Sequence, residues 1–177
     1  MGRLPEAWIA PPATRELREL VRHRAKCVAA RTQVKLQVHG VLAKCGVQVP
    51  MSHLFDTAGG TKMLDELDLP AVYTARIHSH RRLIDALDFE IGVFDHLIRG
   101  RLDADPAYAA VQAIPGIGPV LAAVFVAEIG DVTRFARPEQ LASWAGLTPR
   151  HHESDIKVHR GRITKQGSRL VRWAAVE

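Results

Sequence analysis

Cysteine is nearly absent, with only Cys27 and Cys45 in 177 residues. Two thiols cannot build a disulfide framework, and neither belongs to a Cys-x-x-Cys pair, so an oxidised, stapled scaffold is excluded. Long apolar runs are missing as well. The longest runs from Val120 to Val126 and ends at Glu128, far short of the ~18 residues a membrane span needs. The amino terminus lacks the apolar core of an export signal, because Pro5, Glu6, Pro11 and Pro12 interrupt it, and a cytoplasmic location is expected. Aromatic residues make up only 6%, yet hydrophobic residues reach 47% and charged residues 24%. That composition is neither disordered nor fibrous, and the length suits one domain or two small ones.

Charge is present, and unevenly placed. The formal net charge is +5. Between Arg15 and Lys35, Arg15, Arg18, Arg22, Arg24, Lys26, Arg31 and Lys35 face only Glu16 and Glu19. Between Arg150 and Arg172, Arg150, Lys157, Arg160, Arg162, Lys165, Arg169 and Arg172 face only Glu153 and Asp155. From Asp56 to Asp105 acids outnumber bases, ten to six. Two basic blocks around an acidic middle suit a chain whose ends face a polyanion. A merely solvated surface is the alternative.

The fold class expected is mainly α: a long coiled-coil helical hairpin followed by a small helical domain. Residues 1–13 form a Pro-rich lead-in. Residues 14–102 form the hairpin region. A first helix, capped by Thr14, runs to Cys45 and stops at Gly46. Its Leu20, Cys27, Val34 and Val41 recur every seven residues. A second helix follows Pro70 and ends near Gly100. Its seam is Tyr73, Ile77, His80, Ile84, Leu87, Ile91, Phe94 and Ile98, the 3.5-residue period of a coiled coil. The connector carries a short helix at Lys62–Leu67. These helices pair within the chain or with a second copy; a homo-oligomer is expected. After the break at Leu102–Pro106 comes a third region, 106–177. Short helices are expected at Ala107–Gln112, Val120–Ile129 and Pro138–Ala145, then a loop or hairpin over Leu147–Gly161, then a helix from Gln166 still running at Glu177.

The strongest local motif is Ile114-Pro115-Gly116-Ile117-Gly118-Pro119, which reads as the turn of a helix-hairpin-helix at 107–129. Gly116 and Gly118 supply backbone freedom and leave the amides of the next helix open to a phosphate. Such a grip holds the sugar-phosphate backbone without reading sequence. The turn carries no Lys or Arg, so a packing turn between core helices is the competing reading. A second cluster runs through Trp144–Arg150, His151–Asp155 and Arg160–Arg169. Ser154, in a basic surround, suits a nucleophile, since nearby cations favour its alkoxide; a turn serine is the plain alternative. His78-x-His80 and His151-His152-x6-His159 do not have the spacing of a metal site on one face, and no metal ligands are assigned.

Taken in order, Ile114–Gly118, Glu128-Ile129-Gly130-Asp131, Phe135, Leu141–Pro149 and Ile163–Arg172 resemble the carboxy-terminal domain of the Piv-type DEDD insertion-sequence transposases and invertases. Leu4–Pro12 and the two seamed helices are similar to the region that precedes it in that family. The resemblance implies DNA transposition or recombination, often guided by a structured RNA, with a coiled coil between subunits. It implies DNA and guide-RNA partners and nucleoid association. Ser154 falls where the family carries the serine thought to join DNA covalently, although Asp155 replaces the usual glycine after it. Ser168 is the second candidate and sits where a helix start is expected. Gly116, Gly118, Arg150, Lys157, Arg160, Arg162, Lys165, Arg169 and Arg172 would hold nucleic-acid phosphates.

The family's magnesium-binding acids lie in an RNase H-like domain upstream of the Leu4-Pro5 region. No cofactor is therefore expected in this chain, which reads as the back half of a transposase, cut at both ends and inactive alone. The alternative is a non-catalytic nucleic-acid-binding or oligomerising remnant.

Overall fold

The computed structural model describes residues 7–50, 53–154 and 157–177, without the side chains at 151–160. The chain is mainly helical with one small β-hairpin. Its elements are α1 (Pro12–Lys44), α2 (Ala58–Asp65), α3 (Ala71–Leu102), α4 (Pro106–Gln112), α5 (Pro119–Ile129), a single 3-10 turn (Val132–Arg134), α6 (Pro138–Trp144), β1 (Pro149–Ser154), β2 (Lys157–Ile163) and α7 (Arg169–Ala174). The chain divides into two compact units. One comprises Met1–Val21 with His96–Glu177, and the other Arg22–Asp95. The division cuts through α1 and α3.

The 22–95 unit gathers its core from α1, α2, α3 and the connector between them. Val38, Val41 and Leu42 of α1, Leu54, Leu64 of α2 and Ile77 of α3 form its core. Burying each such Leu or Ile contributes about 1.5–3 kcal/mol before entropy is charged against it. Ile84 and Ile91, further along the α3 seam, are also buried within this single chain. Arg24 pairs with Asp95 at 2.7 Å, and Arg31 with Asp88. Residue numbers fall on α3 as they rise on α1, so the two helices run antiparallel here. Lys35 holds Asp56 at 2.8 Å, and Arg81 pairs with Asp65. Several bases of the first basic block thus answer acids of the acidic middle. That is a correction to the charge map, in which the two stood apart. The polar slot His80 buries both ring nitrogens without a hydrogen-bond partner among the described residues.

Helix α1 starts at Pro12, two residues before Thr14, because proline suits the first helical turn. It ends as expected at Gly46, whose φ of +69° lets Val47 N donate to Leu42 O at 3.0 Å. Helix α2 begins earlier than the sequence suggests. Thr57 caps it by accepting from Gly60 N at 3.1 Å. A β-carbon at Gly60 would stand 1.9 Å from the Leu54 carbonyl oxygen, so only glycine packs there.

The other unit gathers Val21, Ile98, Leu102, Tyr108, Ala122, Ala123, Val124, Ala127 and Ala174 into one core. Small side chains on α5 let α4 and α7 pack against it closely. Asp105 caps α4 by accepting from Ala107 N at 2.8 Å and Tyr108 N at 3.1 Å. Arg18 donates to the carbonyls of Ala127 at 2.8 Å and Glu128 at 2.9 Å, satisfying the open end of α5. Glu128, which ends the apolar run in the sequence, is itself only 2% exposed. The last helix is six residues long and finishes at Ala174, not at the chain end. No helix among the described residues is long and apolar enough to cross a membrane.

Candidate nucleic-acid interface

The turn between α4 and α5 presents its glycines outward. Gly116 has φ +89°, a conformation that L side chains resist. Gly118 has φ −83° and ψ 176°, extended backbone open to any residue, so only Gly116 uses the freedom expected of both. A β-carbon at either position would meet nothing within 4 Å. Gly118 is the N-cap of α5 and no side chain caps that end. Among the described residues the start of α5, where Pro119 has no N–H, is thus left without a side-chain cap.

The segment after α6 is held by interlocked backbone. Gly146 (φ +73°) lies against Gln166, and Gly167 (φ +78°) against Trp144. Lys165 N donates to Gly146 O at 3.0 Å, and Thr164 N to Thr148 O at 2.9 Å, extending the hairpin to its root. Arg172 Nη1 donates to the carbonyls of Ala145, Gln166 and Gly167 at 3.0, 2.7 and 3.1 Å. The antiparallel hairpin rises from this clasp, with His152 opposite His159 and Ser154 opposite Lys157, and an irregularity between Pro149 and His151.

The candidate residues separate into groups. Arg162, Lys165 and Arg169 are exposed near the hairpin root. Arg150 is exposed too and spends one donor on Thr164 O at 3.2 Å. Arg172, by contrast, is half-buried and serves the clasp. Ser168 is the N-cap of α7, its Oγ accepting from Val171 N at 3.4 Å, which is the helix-start role. Ser154 closes β1 on the backbone; its side chain, with those of Lys157 and Arg160, lies outside the described residues. The histidines His151, His152 and His159 fall there as well.

Residues 108–177 match the sequence model of the family described as "Transposase IS116/IS110/IS902 family". This segment is similar to the transposase domain of that family. Its span begins within α4 and takes in the exposed turn, the clasp and the hairpin. The chain is 27% identical to a "Probable family 20 transposase" of Pseudomonas aeruginosa, over 85% of this chain and 46% of that protein. It is 31% identical to the "Insertion element IS110 uncharacterized 43.6 kDa protein" of Streptomyces coelicolor, over 90% of this chain and 35% of that one. A "Pilin gene-inverting protein" of Moraxella bovis is 30% identical over 54% of this chain and 38% of its own length. The chain thus spans less than half the length of these relatives.

A divalent-cation site would need several acids of the chain to converge. Among the described residues no three His, Cys, Asp or Glu side chains converge as such a site requires. Asp56, Asp65, Asp88 and Asp95 are each engaged by an Arg or Lys. Sequence reasoning missed a cluster around Arg134, whose guanidinium carbon lies 4.4 Å from the Trp8 ring centroid, 4.2 Å from Phe135 and 4.8 Å from Trp144. Burial, then the nearby Arg18 cation, lowers its pKa. The signal available was Phe135 beside Arg134 with Trp144 close after it, in a chain with few aromatics, but Trp8 lies far away in sequence.

Proposed function

We propose that this chain is the nucleic-acid-holding part of a Piv-type insertion-sequence transposase, acting with an acidic RNase H-like domain. The observation that carries the reading is the family match over 108–177, which contains the clasp and the basic hairpin. The similarity to pilin gene-inverting proteins supports the invertase side of that group. In this reading Arg150, Lys157, Arg160, Arg162, Lys165 and Arg169 contact the phosphates of DNA and of a structured guide RNA, and Arg172 keeps the hairpin root in shape. The Gly116–Gly118 turn acts as the hairpin of a helix-hairpin-helix, adding backbone amides at the start of α5. Ser154 at the end of β1 is the nucleophile, its Oγ replacing a nucleotide oxygen on phosphorus.

The α1–α3 pair serves as a coiled-coil hairpin and joins copies of the protein. Because Ile77, Ile84 and Ile91 are buried within one chain, the oligomer uses a different face. Val72, Leu83, Phe89 and Val93 of α3 are exposed, Phe89 by 71%. The test of the whole reading is strand transfer by this chain with and without a separately supplied acidic domain. Joining is expected only with the domain, and is lost in Ser154→Ala. Magnesium-dependent nicking by this chain alone, abolished by Ser154→Ala, would overturn the division of labour. Binding and oligomerisation with no joining under either condition would favour the non-catalytic remnant.

A further inference from the structure

The ring of Trp8 rests on Gly130. A β-carbon at Gly130, where φ is +67°, would stand 2.8 Å from the outer edge of the indole. Beside it, Arg134 is enclosed by Trp8, Phe135 and Trp144. Its Nη2 donates to Ile129 O at 3.3 Å, while Nε is buried and has no hydrogen-bond partner among the described residues. Burial and the Arg18 cation oppose its charge; Asp131 favours it. A flat slot over a glycine, beside a stacked guanidinium with an unused donor, matches the two halves of a nucleotide. Bases stack on aromatic rings and on arginine planes, and guanidinium N–H groups hold phosphate. Trp8 itself is 36% exposed and lies outside any helix or strand, ahead of Pro12.

We propose that Gly130, Arg134, Phe135 and Trp144 form a site for one unpaired nucleotide, and that Trp8 is an internal plug standing in for its base. In the loaded form the base takes the place of the indole and the phosphate accepts from Arg134 Nε. The inference rests on the nucleic-acid reading above, and it adds a place where a nucleotide out of duplex is held, distinct in kind from the basic hairpin's sequence-independent grip.

The test titrates the full chain with fluorescein-labelled oligothymidylate and, separately, with a labelled mixed-sequence duplex. Trp8→Ala is expected to tighten oligothymidylate binding about tenfold, the scale of one base stacked on an aromatic ring, and to leave duplex binding unchanged. Adding Arg134→Gln is expected to cancel the gain. As a second reading that needs no loss of the ring, unlabelled oligothymidylate is expected to red-shift the tryptophan emission of the native chain, and to do so far less in Trp8→Phe. Trp8→Ala that keeps its helicity and duplex affinity but gains nothing on oligothymidylate overturns the plug alone. So does unshifted native emission at saturating oligothymidylate. Failure of both probes to bind overturns the nucleic-acid reading and this inference with it.

Discussion

Gly167 lies so close to Trp144 that a β-carbon on it would come within 2.1 Å of the Trp144 carbonyl oxygen. Two motifs well separated in sequence are thereby fixed in contact at the root of the hairpin. Gly167→Ala must both adopt a φ of +78° and push the α6 end away. It is expected to destabilise the 1–21/96–177 unit by about 2–5 kcal/mol, seen as a lower thermal midpoint. Gly116→Ala meets open space and bears only the backbone strain of its positive φ, about 1–2 kcal/mol. Equal losses at the two positions would contradict this geometry.

If exposed arginines at the hairpin root hold phosphates, they release counterions on binding. Changing Arg162 and Arg169 together to Ala is expected to flatten the log–log salt dependence of duplex affinity by about 2, whatever the sequence. Arg172→Ala should behave differently, weakening the fold through three abandoned carbonyls. Fluorescence anisotropy across a salt series, beside thermal melts, separates the two effects. A salt slope untouched by the double change would remove these arginines from the interface.

The hydrogen bond from Lys35, with the charges of Lys35, Arg31 and His53, holds the Asp56 carboxyl below the ordinary aspartate range. The folded pKa lies below the unfolded one, so the associated stability is present above the ordinary value and is lost as pH falls through the folded value. Side-chain carboxyl NMR should place the Asp56 midpoint below that of an unfolded aspartate, and Lys35→Met should return it upward. An Asp56 midpoint that ignores the Lys35 change would show the pair to be separated in solution.

The two faces of α3 are expected to respond differently to charge. Asp at Leu87 and Ile91 strikes the seam that one chain buries, so loss of helicity is expected. Ser at Phe89 and Val93 strikes the exposed face, and should leave circular dichroism intact while shifting sedimentation towards monomer. If the native chain already sediments as a monomer at high concentration, the exposed face joins nothing under those conditions.

Helix periodicity was readable because α1 and α3 bury one stripe over many turns, and a stripe shows in one dimension. Gly46 was equally plain in its local chemistry, a helix stop at positive φ. The division of the chain was not. Ile98 belongs to the same seven-residue pattern as Ile91, and Val21 flanks the one that runs through Leu20 and Cys27, yet both pack with α5 and α7, and period alone does not name the neighbour. The pairing of Arg24 with Asp95 and of Arg31 with Asp88 was hidden for the same reason. At the candidate interface, the motifs pointed to the segment that matches the transposase family but not to the work of each residue. Arg172 looks like another phosphate ligand until its three carbonyl acceptors are seen. Arg134 drew no notice, because the Trp8 ring that completes its enclosure comes from the distant start of the chain.

The order of synthesis acquires a meaning from the way Arg18 reaches Ala127, 109 residues away. Residues 22–95 contain everything their own core uses, so that unit can close while the rest of the chain is still being made. The first turns of α1 must wait for α5 and α7, and their partners come last. Closing so long a loop is slow and exposes apolar surface meanwhile. The early, finished unit shortens that wait by bringing the two flanks of the loop, Arg22 and Asp95, to its surface as one folded block.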